Sequence, residues 1–134
     1  MPDDVEPEAV AARLTAAHPQ LFTTDMTRSC TFFTQQLGFS IGFLHGDPPF
    51  YGQVTRDGIC LNLRHVDAMP FTGNIRETDH LLSAYVVVSD VEALYAECRA
   101  RGAGLHQPLT TQPWDTRDFV VRDPDGNLIL FASG

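Results

Sequence analysis

The sequence lacks any long apolar run. No stretch approaches the roughly 20 residues that a membrane-spanning helix needs. The N-terminal stretch MPDDVEPEAVAARL is acidic, and it has neither the basic start nor the apolar centre of a signal peptide. We therefore expect a cytoplasmic protein that does not engage a membrane.

Paired cysteines and clustered basic residues are also missing. Cys30, Cys60 and Cys98 are odd in number and widely spaced, which predicts reduced, partly buried thiols; one of them acting as a nucleophile is the alternative. Nine basic residues face 17 acidic ones, for a net charge of −8. Binding to phosphates needs clustered Lys and Arg, so the composition excludes nucleic acid as a partner. An acidic surface attracts cations at long range, although solubility is the simpler interpretation.

The length of 134 residues and a hydrophobic content of 43% indicate one domain with a real core. Its first part, residues 1–18, is predicted to be a helical extension. Pro7 suits a first helical turn, Val10 and Leu14 share one face, and His18-Pro19 stops the helix, which covers residues 4–17.

The main domain, residues 19–134, reads as two copies of one unit. In the first, residues 19–65, a short strand leads to the helix cap Asp25, a helix over residues 26–37 and three further strands, the last two joined at Asp57-Gly58. An aperiodic connector follows. In the second, residues 80–134, a strand leads to the cap Asp90, a helix, a short strand over residues 105–110 and a closing hairpin around the turn Asp123-Pro124-Asp125-Gly126-Asn127. This pattern predicts an internal β-α-β-β-β repeat.

Some strands are apolar at consecutive positions, notably residues 85–88 and 128–131. Alternate side chains of a strand point to opposite faces, so both faces of these strands need cover. One helix per unit covers only one face. A second module, a second subunit or a ligand must cover the other.

These features resemble the vicinal oxygen chelate superfamily of glyoxalases, extradiol dioxygenases and bleomycin resistance proteins. Gln112-Pro113-Trp114 followed by Arg122-Asp123-Pro124, and Leu37-Gly38-Phe39-Ser40, are most similar to bleomycin resistance proteins. Over residues 19–132 the resemblance implies an α+β fold. Two βαβββ modules would form paired curved mixed sheets with helices on the outside, here with the N-terminal helix added.

The same resemblance supplies a test for metal. Superfamily enzymes place one His, Gln or Glu ligand on each of four strands, and the matching positions here are His18 (or Gln20, if the first strand slips), Asn62, Ser83 and Leu130. A divalent first-row ion prefers imidazole, carboxylate or thiolate, so only His18 is a good donor. We expect no metal, no cofactor and no catalytic residue. His80 reaches the Ser83 position only through a slip that reverses the faces of its strand.

Without a metal site, the resemblance implies a ligand-binding pocket. It maps aromatic residues of the drug-binding cleft onto Phe43, Tyr51 and Trp114, with Phe50 as an alternative to Tyr51; core packing is the alternative role for Phe43 and Phe50. The predicted function is a non-catalytic homodimer that sequesters a cationic, partly aromatic small molecule in a cleft between subunits. The alternative is a superfamily enzyme (a lyase, isomerase or dioxygenase) with an atypical metal site. The candidate ligand-binding residues are Trp114, Phe43, Tyr51, Phe50, Asn62, Ser83 and Leu130.

Overall fold

Two four-stranded mixed sheets form the body of the protein. The computed structural model describes residues 11–71 and 73–133. The first sheet has the order β1-β4-β3-β2 and the second the order β5-β8-β7-β6; in each, the first and last strands of the module pair parallel and the others antiparallel. The two predicted βαβββ modules are thus confirmed. The strands are β1 (Gln20–Thr23), β2 (Ser40–Gly46), β3 (Pro49–Arg56), β4 (Ile59–His65), β5 (Leu82–Val87), β6 (Leu105–Thr111), β7 (Arg117–Arg122) and β8 (Leu128–Ser133).

The helices begin where the sequence predicts. Asp25 and Asp90 both cap, accepting hydrogen bonds from the amides of Arg28 (3.1 Å) and Ala93 (3.0 Å). The predicted first helix is α-helical only in part, and its second half is a π-helical turn that its side-chain spacing does not reveal. The connector contains a short helix, too short to show a periodicity. The helices are α1 (Met26–Thr31, continued by the π-turn Phe32–Gln36), α2 (Ile75–Thr78) and α3 (Val91–Ala100).

The predicted N-terminal helix is wrong over residues 11–17, which have no helical structure; the rest of that prediction falls on residues 4–10, outside the described part of the chain. Leu14 is fully exposed and packs on nothing. A short isolated helix is marginal in water, and most helical stability in proteins comes from packing an apolar face. Leu14 is in contact with no apolar surface of the described residues, so it supplies no such gain.

The inward faces of both sheets and their helices share one buried core. Alternation along each strand decides which residues enter it: Leu61 and Leu63 of β4 point inward, as do Phe119 and Val121 of β7. The intervening residues of these strands face outward. A second, smaller buried cluster lies on the outward face of the second sheet and consists of Val120, Leu128, Leu130 and Ala132.

The closing turn also fastens the second module to the first. The buried Asp125 carboxylate accepts hydrogen bonds from the Thr23 hydroxyl (2.6 Å), the Thr24 amide and hydroxyl (3.1 Å each) and the Arg28 guanidinium (2.7 Å). Asn127 adds a bond from its Nδ2 to the Phe22 carbonyl (2.9 Å). The turn that sequence patterns assign to a hairpin therefore also holds the module interface.

No helix in the described residues has both the length and the apolar character to cross a bilayer.

Candidate functional site

The outward face of the first sheet carries a polar row. Strand register aligns Gln20, Asn62, Gln53 and Phe43 across β1, β4, β3 and β2. Asn62 is buried, and its Oδ1 accepts from Gln53 Nε2 (3.1 Å) while its Nδ2 donates to the Tyr51 hydroxyl (2.8 Å). That hydroxyl in turn hydrogen-bonds Gln20 Oε1 (3.2 Å). The carboxamides are thus held in fixed orientations by one another.

Two of the predicted aromatic residues meet beside this network. The rings of Phe43 and Tyr51 lie 5.8 Å apart and are tilted by 46°. Phe43 remains 40% exposed, so it is not a core residue. The ring of Phe50 packs edge-to-face on His45 (5.4 Å) at the end of the hairpin and is not part of the Phe43–Tyr51 pair. Of the two alternatives, the structure pairs Tyr51 with Phe43.

The outward face of the second sheet is more apolar. One cross-strand row runs Tyr85, Leu130 and Val120; the next runs Val87, Ala132 and Asp118. Tyr85 is 57% and Val87 72% exposed, whereas Leu130 is 9% exposed. The open part of this face is therefore the β5 edge.

Trp114 lies in the loop between β6 and β7. Backbone hydrogen bonds from Gln112 N to Thr116 O (2.7 Å) and from Asp115 N to Gln112 O (2.9 Å) close this loop tightly. The indole is 69% exposed. A large aromatic ring held on a short closed loop and left in solvent is available for stacking, and the ligand-binding role of Trp114 stays a prediction.

The superfamily's metal positions do not fit a metal in this chain. The pairing of Gln20 with Asn62 shows that Gln20, not His18, faces the position on β4. In the second module the partner of Leu130 is Tyr85, which lies as far before its helix cap as Gln20 does. Ser83 is the extra residue of a bulge, and its hydroxyl donates to Asn127 Oδ1 (3.3 Å). Two hydrogen-bonded carboxamides, a phenol ring and an alkyl chain do not suit a first-row ion. The described residues contain no cluster of three or more His, Cys, Asp or Glu side chains arranged to hold a metal.

Sequence reasoning missed one charged residue on the outward faces. Asp118 is 3% exposed, and its Oδ1 accepts from Gln107 Nε2 (2.7 Å) and Gln112 Nε2 (2.9 Å). The signal was available, because Phe119 and Val121 are the apolar inward residues of β7, and alternation then turns Asp118 outward.

The comparisons with known proteins agree with this architecture. Residues 15–131 match the model of the Glyoxalase/Bleomycin resistance protein/Dioxygenase superfamily. The chain is 30% identical over 125 residues to the bleomycin resistance protein of Geobacillus stearothermophilus, an alignment covering 84% of this chain and 92% of that protein. The bleomycin resistance protein of Staphylococcus aureus matches to the same extent.

Solved structures give the same result. The bleomycin-binding protein of bleomycin-producing Streptomyces verticillus, in complex with copper(II)-bleomycin, has a TM-score of 0.72 and 26% identity, covering 92% of this chain and 99% of that one. TioX from Micromonospora sp. ML1 has a TM-score of 0.66 and 25% identity, covering 90% and 96%. With its two βαβββ modules and a match spanning nearly the whole chain, the protein belongs to the Glyoxalase/Bleomycin resistance protein/Dioxygenase superfamily.

Proposed function

We propose that this protein is a non-catalytic, cytoplasmic homodimer that sequesters a cationic, partly aromatic small molecule of the bleomycin type, and so confers drug resistance. The observation that carries the proposal is the set of partly exposed aromatic side chains on the first sheet and on the β6–β7 loop. The face of the first sheet presents the Phe43–Tyr51 pair beside fixed carboxamides, and the loop between β6 and β7 at the second sheet presents an exposed indole at Trp114. Such surfaces stack on rings and orient polar groups.

The donor chemistry supports binding rather than catalysis. The two oxygens that could ligate a metal in the first module already accept hydrogen bonds, Gln20 Oε1 from the Tyr51 hydroxyl and Asn62 Oδ1 from Gln53 Nε2. Leu130 brings an alkyl group to a position where the superfamily's enzymes carry a ligand. The residues at these positions bind and orient a ligand without activating it.

The division of the aromatic residues between two sheets supports a dimer. Within the described residues no ring contact joins Trp114 to Phe43 or Tyr51. A cleft that uses all three rings therefore needs a second copy, placing the first module of one subunit opposite the second module of its partner. The exposed side chains of Tyr85 and Val87 on the β5 edge would gain cover in the same assembly.

The preference for a cation rests on charge and on the relatives. The chain carries a net charge of −8, which raises the local concentration of cations. An indole face attracts a cation as well as a planar ring. The relatives named above include a protein solved with copper(II)-bleomycin bound.

Equilibrium dialysis against metal-free bleomycin, followed by mass spectrometry of the recovered ligand, tests the proposal. We expect saturable binding and recovery of the ligand at unchanged mass. Bound ligand that returns chemically altered, with activity that a chelator removes, would establish the alternative enzyme. Absence of binding at millimolar ligand would overturn the proposed ligand class.

A further inference from the structure

Asp118 is a buried carboxylate with half of its hydrogen-bonding capacity unused. It is 3% exposed and faces outward on β7. Its Oδ1 accepts from two neutral carboxamides, Gln107 Nε2 and Gln112 Nε2, and within the described residues its Oδ2 has no hydrogen-bond partner. Because both carboxamides are neutral, they do not balance the negative charge of the Asp118 carboxylate.

The nearest arginines along β7 are engaged elsewhere. Arg117 precedes Asp118 and therefore points to the opposite face, where it pairs with Glu92 of α3. Arg122 shares the outward face, but it pairs with Glu77 and lies about 13 Å away at the rise of a β-strand. Over residues 11–71 and 73–133, no Arg or His forms an ion pair with Asp118.

A buried charge without an opposite charge is costly, so such groups are usually paired or hydrogen-bonded at all their atoms. Asp118 sits in a row with Val87 and Ala132, and Val87 is 72% exposed. Its Oδ2 is not one of the fully buried side-chain atoms that lack a partner, so this oxygen can be reached from solvent. Its amide partner Gln112 belongs to the closed loop that carries Trp114. A free carboxylate oxygen and an exposed indole therefore occur at the same hairpin.

We propose that Asp118 is the counter-charge of the ligand: its Oδ2 accepts a hydrogen bond from an ammonium or amidinium group of the ligand, whose aromatic part stacks on Trp114. This inference rests on the proposed function and adds to it the residue that selects a cation. Gln107 and Gln112 hold the carboxylate in place, and they act as positioning residues.

The isosteric variant Asp118→Asn separates charge from structure. Its Oδ1 still accepts from both glutamines, and its Nδ2 replaces an oxygen that has no partner in the described residues, so we expect an unchanged thermal midpoint. Asp67→Asn is the matched control, because it removes the same charge from an exposed position. The probes are naphthylmethylamine, which is cationic at neutral pH, and naphthylmethanol, which has the same ring and no charge. Affinities are measured by calorimetry.

We expect wild type and Asp67→Asn to bind the amine at least tenfold more tightly than the alcohol, and Asp118→Asn to lose that preference with the affinity for the alcohol unchanged. Tenfold corresponds to about 1.4 kcal/mol. Equal binding of both probes by the wild type would overturn the role of Asp118 without refuting the proposed cleft. This comparison does not depend on the folding of any variant. Failure of both probes and of metal-free bleomycin to bind would instead refute the proposed function itself.

Discussion

Replacing Trp114 by alanine should weaken ligand binding far more than it weakens the fold. The indole is 69% exposed, and exposed substitutions usually change the free energy of unfolding by about 0.5 kcal/mol or less. Stacking on the ring is worth about 0.5–1.5 kcal/mol beyond area burial. A cation over the ring adds about 0.5–2 kcal/mol. Losing both should reduce affinity about tenfold or more, since about 1.4 kcal/mol corresponds to tenfold.

The assay is calorimetric titration of metal-free bleomycin into wild type and Trp114→Ala, with thermal melting of both proteins. Ile59→Ala is the control, because Ile59 is also exposed (40%) but lies at the β3–β4 turn and outside the proposed cleft. Unchanged affinity in a folded Trp114→Ala protein would remove Trp114 from the site. A sharp fall of the melting temperature would show that the indole supports the fold instead.

Four further results are expected. Asp125→Ala removes the acceptor for Thr23, Thr24 and Arg28 and should lower the free energy of unfolding by about 3 kcal/mol in denaturant titrations; the exposed control Asp67→Ala should change it little, and an equal effect would refute the account of the module interface. Burial raises the pKa of Asp123 from 3.8 to about 6, although hydrogen bonds from Asn127 oppose the shift. The folded state then favours the protonated acid, so this group stabilises the fold below about pH 4. That contribution, about 3 kcal/mol, is lost as the pH rises to about 6. The difference in unfolding free energy between wild type and Asp123→Asn should show this loss over the same pH range, and a constant difference would contradict it. Sedimentation should give a dimer of the 14.8 kDa chain at micromolar concentration, and a stable monomer would refute the shared cleft. Purified protein should carry no stoichiometric metal, and chelator should leave its melting temperature unchanged. One tightly held ion per chain would overturn the conclusion that the residues at the superfamily's metal positions do not suit a metal.

Local chemistry made most of the fold predictable. The caps Asp25 and Asp90 act through their own side chains, and the turns at Asp57-Gly58 and Gly126 depend on glycines with positive φ (81° and 83°). These signals lie within a few residues of the structure they determine. For that reason the helix starts, the tight turns and the two-module order follow from the sequence.

Features that depend on packing or on strand register were not predictable in the same way. Residues 11–17 contain helix-forming residues, but they are exposed and not helical. The ligand positions on β1 and β5 were placed two residues too early in both modules: Gln20 pairs with Asn62 where His18 was the first choice, and Tyr85 pairs with Leu130 where Ser83 was expected. Side-chain type alone does not fix the register of a short strand. For Asp118, alternation along β7 predicts the outward orientation, whereas its burial to 3% exposure is visible only in the fold.

Native mass spectrometry of the protein with metal-free bleomycin tests the central claim most directly, because one spectrum reports both assembly and ligand count. A dimer with two clefts predicts a dominant species of two chains carrying two molecules of ligand, each at unaltered mass. A monomer, or a dimer that takes up no ligand at concentrations where the related bleomycin-binding proteins are saturated, would contradict the account.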